Sequence, residues 1–352
     1  PTNETINFGY AHGKNNGDAI SFPGTLGITS LSAAVSDGVT YYVVKADNLA
    51  IKLATTQALA LAGTSNVDLT VRKIYIIMKD DIDLELTQPL TSVLNVTSDA
   101  EVYIGSEQAI RLDRIATGGE TRIKSSSSII DAASTGLANV AIGSGNLVLE
   151  AGSNSVGSAT DFIEVSMSNT ASVTARAGDS VYLRGVSGVT DNLYLDTIYA
   201  VNYIDLRGIN IYDSYNDDSG GGYLNIKTVE LNIATSCNIG TSANYVETDL
   251  DASGHLTASS SGCNVYIGET LGSMNVDRVT ALVGNVGLRA QSSIYDWNQD
   301  SAADVSADDV TLEAYLGEIG QLLGGSNDGN FEINSDTAGA VGSGVLTTYT
   351  RD

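Results

Sequence analysis

Apolar and polar residues alternate one by one along most of this chain. Ser172-Val173-Thr174-Ala175-Arg176 and Ser180-Val181-Tyr182-Leu183-Arg184 show the pattern, as does Phe162-Ile163-Glu164-Val165-Ser166-Met167. A period of two in Val, Ile, Thr and Tyr predicts half-buried strands rather than helices. Gly, Ser, Asn and Asp separate the runs and predict tight turns between them.

The runs recur as larger copies. Val102-Tyr103-Ile104 returns as Val181-Tyr182-Leu183 and as Val265-Tyr266-Ile267, at steps of 79 and 84 residues. Ile130-Asp131 returns as Ile211-Tyr212-Asp213 and Ile294-Tyr295-Asp296. Val148-Leu149-Glu150, closing at Val156-Gly157, returns as Val229-Glu230-Leu231, closing at Ile239-Gly240. Its third copy is Val310-Thr311-Leu312, closing at Ile319-Gly320. Landmarks kept in order at one spacing are the signature of a stacked repeat architecture. Strand runs about every 20 residues, with no helices between them, predict a parallel β-solenoid. Each copy is then roughly four coils and advances about 19 Å along the axis, at about 4.8 Å per strand. The outer members of each triplet should face the interior. The central tyrosine should face out, as ordinary strand packing or, alternatively, to stack on carbohydrate.

Residues 1–64 read differently, as a small β module with a short helix. Thr5–Phe8, Ala19–Phe22, Thr40–Lys45 and Ala50–Ala54 are its strands, with a tight turn at Asp47-Asn48. Thr55-Thr56 caps a helix over Gln57–Ala62 that stops at Gly63. Residues 65–335 are the predicted β-helix. A fourth copy opens at Asn330-Phe331-Glu332-Ile333, which matches Asp161-Phe162-Ile163-Glu164. Residues 336–352 are expected to be a last strand or a flexible tail.

Charge narrows the partners. A formal net charge of −25 argues against nucleic acid, which needs clustered cations, and against an anionic membrane surface. No apolar run is long enough to span a bilayer, so no membrane insertion is expected. An acidic, Lys-poor strand surface suits salty or calcium-containing extracellular water, where carboxylate repulsion is screened. Two cysteines, Cys237 and Cys263, lie 26 residues apart, a little over one coil. Two free buried thiols are the first expectation and a bridge between adjacent coils the second. The chain starts at Pro1 and stops in mid-pattern, so a processed piece or a fragment of a longer chain is expected. Acceptor sequons stand at Asn3 and Asn95.

The segment Gly38–Val44 through Ile51–Ala54 to Ala60-Leu61-Ala62-Gly63 resembles a module of very large bacterial surface proteins. Ser293–Asp296, Ala303-Asp304-Val305 and Ala307–Ala314 resemble repeats in the same chains. The family is that of the filamentous-haemagglutinin-like adhesins, and the resemblance covers most of the chain. It departs at Tyr315-Leu316-Gly317-Glu318, where such repeats run Gly-rich. The resemblance implies an all-β, right-handed parallel β-helix, secreted or cell-surface attached, with no enzymatic activity. Its implied role is a rigid stalk or adhesive surface. The partners would be cell-surface carbohydrate or protein, or copies of the same chain.

The best candidate chemistry is Asp296-Trp297-Asn298-Gln299-Asp300 followed by Asp304. Oxygen ligands at alternate positions suit Ca²⁺, so Asp296, Asn298, Asp300 and Asp304 are the candidate metal ligands. Ser301 stands at the sharp-turn glycine and Ala307 at the twelfth position, so a solvated Asx-rich turn is the competing reading. Asp213, Asn216, Asp217 and Asp218 form a second acidic cluster at the same place in the preceding copy. The histidines, His12 and His255, are expected in surface loops, and no HExxH, GxxxxGK[ST] or GxSxG motif occurs. Polysaccharide cleavage by acidic pairs such as Asp217-Asp218 or Asp308-Asp309 is the enzymatic alternative. Self-assembly into an extracellular fibre by head-to-tail stacking is the structural one.

Overall fold

A computed structural model describes residues 6–7, 13–21, 39–48, 50–65, 73–78, 82–86, 93–132, 136–186, 191–215, 224–320, 330–335 and 344–350. The chain opens on a four-stranded antiparallel sheet. Ile6–Asn7 and Thr40–Lys45 flank Ala50–Ala54, and Ala19–Ser21 lies beyond Thr40–Lys45. The Asp47 carboxylate accepts the Ala50 N–H at 2.8 Å and so sets the expected turn. The helix is Gln57–Leu61. The Thr56 hydroxyl caps the Leu59 N–H, and Gly63, at φ +72°, takes the left-handed conformation that ends it.

From Lys73–Met78 onward the strands alternate between two sheets, one strand from each per turn, and all pairings are parallel. Each sheet is a path of twelve strands, which makes the protein a β-solenoid. The alternation in the sequence becomes alternation in burial. In Val102–Ser106, Val173–Ala177 and Val310–Ala314 every second side chain is buried between the sheets. Opposed rows of Val, Ile, Leu and Ala fill a narrow interior. The tyrosines of the three triplets lie half-buried on the outer faces, as expected. Two of them pack on tyrosines of neighbouring turns: Tyr182 sits 5.7 Å from Tyr203 and Tyr266 5.4 Å from Tyr245, between ring centroids.

Strand ends are set by short hydroxyl side chains. The Ser98, Ser106, Thr117 and Ser125 hydroxyls each accept the N–H two residues on. Such local bonds turn the chain out of the sheet. At other corners an asparagine ladder climbs the stack. The Asn210, Asn238 and Asn264 amide oxygens accept the N–H groups of Asn238, Asn264 and Asn285, one turn on each time. In two of the closing pairs the glycine is demanded by crowding. Gly157 and Gly240 have positive φ, and a Cβ there would lie within 2.6 Å of the carbonyl oxygens of Tyr182 and Tyr266.

One copy contains seven strands, three and a half turns, close to the four coils expected. A copy therefore advances about 17 Å. The half turn matters: equivalent residues fall on opposite sheets. Val102-Tyr103-Ile104 and Val265-Tyr266-Ile267 share one sheet, and Val181-Tyr182-Leu183 belongs to the other.

Two expectations are corrected. Cys237 and Cys263 form a disulfide across 4.4 Å between Cα atoms, not a pair of free thiols, because they stand at like corners of successive turns. The opening of the fourth copy is also shifted by one residue. Val305 pairs with Ile333 as Val140 pairs with Val165, so Glu332, not Ile333, occupies the Glu164 position. Matching Phe331 to Phe162 puts each side chain on the wrong face, as a slip of one residue in a strand must.

Candidate functional site

In each copy one strand is broken by a loop. Ile129–Asp131 and Val140–Ile142 both pair with the single strand Ile110–Thr117 of the turn below. Asn210–Asp213 and Ile226–Thr228 share Asn192–Ala200, and Ile294–Asp296 and Val305–Ala307 share Met274–Ala281. Each of those long strands carries a register shift on its other side, beside Asp113, Asp196 or Asp277. A bulge opens a strand locally, and here it spreads the two halves of the next one.

The base of each loop is a triad. The chain leaves the sheet after Asp131, Asp213 or Asp296 and returns after Asn139, Asn225 or Asp304. A glutamate one turn on completes the set: Glu164, Glu247 or Glu332. In the first copy the Asn139 amide donates to Asp131 at 2.6 Å and accepts the Glu164 N–H at 2.8 Å. In the second, Asn225 donates to Asp213 at 2.7 Å and accepts the Glu247 N–H at 2.9 Å. Burial, then the Asp131 charge, pushes the Glu164 carboxyl up to about 7, with Arg184 opposing at 3.5 Å.

The third copy changes one group. Asp304 accepts the Glu332 N–H at 2.7 Å, as the asparagines do, but has no N–H to give Asp296. One carboxylate oxygen from each of Asp296, Asp304 and Glu332 lies within 4.8 Å of the others. Asp296 is 3% exposed, Asp304 is 1% exposed and Glu332 is half-buried. Oδ2 of Asp296 and Oδ1 of Asp304 have no hydrogen-bond partner among the described residues. Burial, followed by the charges of Asp296 and Glu332, pushes the Asp304 carboxyl up to about 8. Asp304 and Glu332 are also close enough to share a proton.

Of the four candidate ligands, the structure brings Asp296 and Asp304 together and leaves Asn298 and Asp300 outside. Asn298 donates to Asp277 at 3.3 Å, and the exposed Asp300 accepts the Ala302 N–H at 2.6 Å. The loop opens on an Asx turn, with Asp296 accepting the Gln299 N–H at 2.9 Å. Sequence spacing missed Glu332, which is one turn away. Its signal was the recurrence of Glu164, Glu247 and Glu332 at 83 and 85 residues.

His255 lies outside the strands, just before Leu256–Ser260, as expected of a loop residue, but it is half-buried and stacks on Trp297 at 5.1 Å between ring centroids. Asp309 belongs to the ladder, where it accepts the Val345 N–H. His12, Asn3 and the cluster Asn216, Asp217 and Asp218 lie outside the described residues. Chemically, the first two triads are hydrogen-bonded clamps, and the third is a convergence of three carboxyls able to hold a proton or a cation. Compared with family models, curated proteins and solved structures, the chain finds no match.

Proposed function

We propose that the chain is the rigid, non-catalytic shaft of an extracellular bacterial surface protein of the adhesin type. The observation that carries this reading is the unbroken parallel pairing of twelve strands in each of two sheets. Such a stack resists bending and spaces whatever it carries. The recurrent buried polar groups support it, because in two copies they close the base of a loop against the sheet. The disulfide supports an oxidising, extracellular setting, and the net charge of −25 supports a solvated surface that takes up neither nucleic acid nor anionic lipid. Adhesive contact with cell-surface carbohydrate or protein would fall to the three loops, whose bases lie about 17 Å apart on alternate sheets.

Two assays test the reading. The purified chain should bind immobilised host glycans or cells, and lose that binding when residues 297–303 are replaced by a short Gly-Ser turn. It should also release no reducing ends from acidic or neutral polysaccharides. Steady sugar release would overturn the non-catalytic assignment.

One observation favours a second reading, head-to-tail assembly. Leu346 pairs with buried Val310 and so stands at an interior position, yet it is 50% exposed at the end of its sheet. A second copy stacked there would cover it, and electron microscopy of the purified chain distinguishes filaments from single rods.

A further inference from the structure

We infer that Asp296, Asp304 and Glu332 bind one calcium ion, which fastens the last broken strand to the turn above it. The inference stands apart from the shaft reading and rests on an internal comparison. Three copies build the same loop base with the same backbone bonds. Ile115, Ile198 and Val279 each donate their N–H to the carbonyl of the returning Asn139, Asn225 or Asp304, all at 2.6 Å. In two copies an amide N–H ties the returning residue to the departing aspartate. In the third, a carboxylate replaces the amide and that bond is lost.

Burial without a partner is costly for a carboxylate, and two facing each other cost more. Oδ2 of Asp296 and Oδ1 of Asp304 are such atoms, on side chains all but removed from water. Something positive must take the place of the missing N–H. Ligands on opposite sides of Ca²⁺, each at 2.3–2.6 Å, lie about 5 Å apart, so three oxygens all within 4.8 Å of one another can share one such ion. Donors made only of oxygen and carrying several negative charges suit a hard cation, and the half-buried Glu332 leaves a side open to water ligands. The ligand set differs from a continuous calcium loop, because the third carboxylate comes from the next turn.

The chain provides its own reporter. Trp297, the only tryptophan, directly follows Asp296, so Tb³⁺ bound at the cluster should emit when the indole is excited. The purified chain is stripped with EDTA and titrated with Tb³⁺, then with CaCl₂, and its thermal midpoint is read in CaCl₂, in EDTA and in NaCl of matched ionic strength. The expected result is one Tb³⁺ per chain with sensitised emission, displacement by Ca²⁺, and a midpoint raised by Ca²⁺ but not by NaCl. D304N restores the asparagine of the sister copies. It should fold, melt no lower than the stripped wild type, and bind Tb³⁺ at least tenfold more weakly. E332Q should weaken binding and keep the fold. A wild-type midpoint that ignores Ca²⁺, or follows pH alone, overturns the inference in favour of a shared proton. Equal Tb³⁺ binding by D304N overturns it in favour of the general acidic surface.

Discussion

A single amide separates Asn225 from Asp304 in triads that are otherwise alike, and that one group decides what each site can hold. Asn225 gives one hydrogen bond and takes another, both buried. N225D should therefore lose about 1–3 kcal/mol in chelator, the usual cost of a buried group left without its partner. Denaturant unfolding at neutral pH measures it. Glu269 makes a second prediction. It accepts hydrogen bonds from the Thr248 hydroxyl and the Leu250 N–H, and burial pushes its carboxyl up to about 8. Its native state keeps a proton that the unfolded chain gives up near pH 4.5. Its contribution to stability is thus whole below about pH 4.5, declines as pH rises, and is lost above about pH 8. E269Q should flatten that decline, and melting curves at pH 5, 7 and 9 would show it. At this scale the sequence told apolar from polar but not paired from unpaired. Asn95 reads as a glycosylation sequon, yet it is 8% exposed and its amide donates to Asp113 at 3.0 Å, so the folded chain offers no acceptor there.

Strands were legible because alternation is a property of one segment, and the three copies because their landmarks keep their order. The sheet to which each strand belongs was not legible, since neither sheet marks its members by composition. Only the pairing shows that seven strands make a copy, so that successive copies face opposite ways. Glu332 was missed for the same reason: Phe331 resembles Phe162, but register follows the Val305–Ile333 pairing and not the likeness of the ring. The cysteines show the limit from the other side. Their spacing of 26 residues permits a bridge, and only their meeting at like corners makes one. Closing a loop of that length removes about 3.5 kcal/mol of unfolded-chain entropy on the chain-entropy model. Reduction, or the C237S/C263S pair, should lower stability by up to that amount and leave the stacked strands in place. Circular dichroism with and without reductant, followed through thermal unfolding, checks both halves of the statement.

Over the whole molecule, strand pairing among the described residues runs between neighbouring turns, so the ends are the places where the stack can grow or fray. Twelve strands at the usual spacing give a shaft about 53 Å long. Its end near Leu346 combines two opposed tendencies. Leu346, in register with buried Val310, offers apolar surface on a strand whose far edge pairs with no described strand, which favours a further turn from another copy. The net charge of −25 repels that copy. Charge repulsion over a Debye length of about 10 Å at 0.1 M salt falls to about 3 Å at 1 M, while apolar burial does not weaken. If the end is adhesive to itself, filaments should be sparse at low salt and abundant at high salt. L346D adds a charge at an interior position and should abolish them at both, with the melting midpoint of the single rod unchanged because that side chain is already half in water. Electron micrographs across a salt series read the outcome. Rods of constant length at every salt concentration would mean that the edge is covered in some other way, and would leave the shaft reading standing without the fibre.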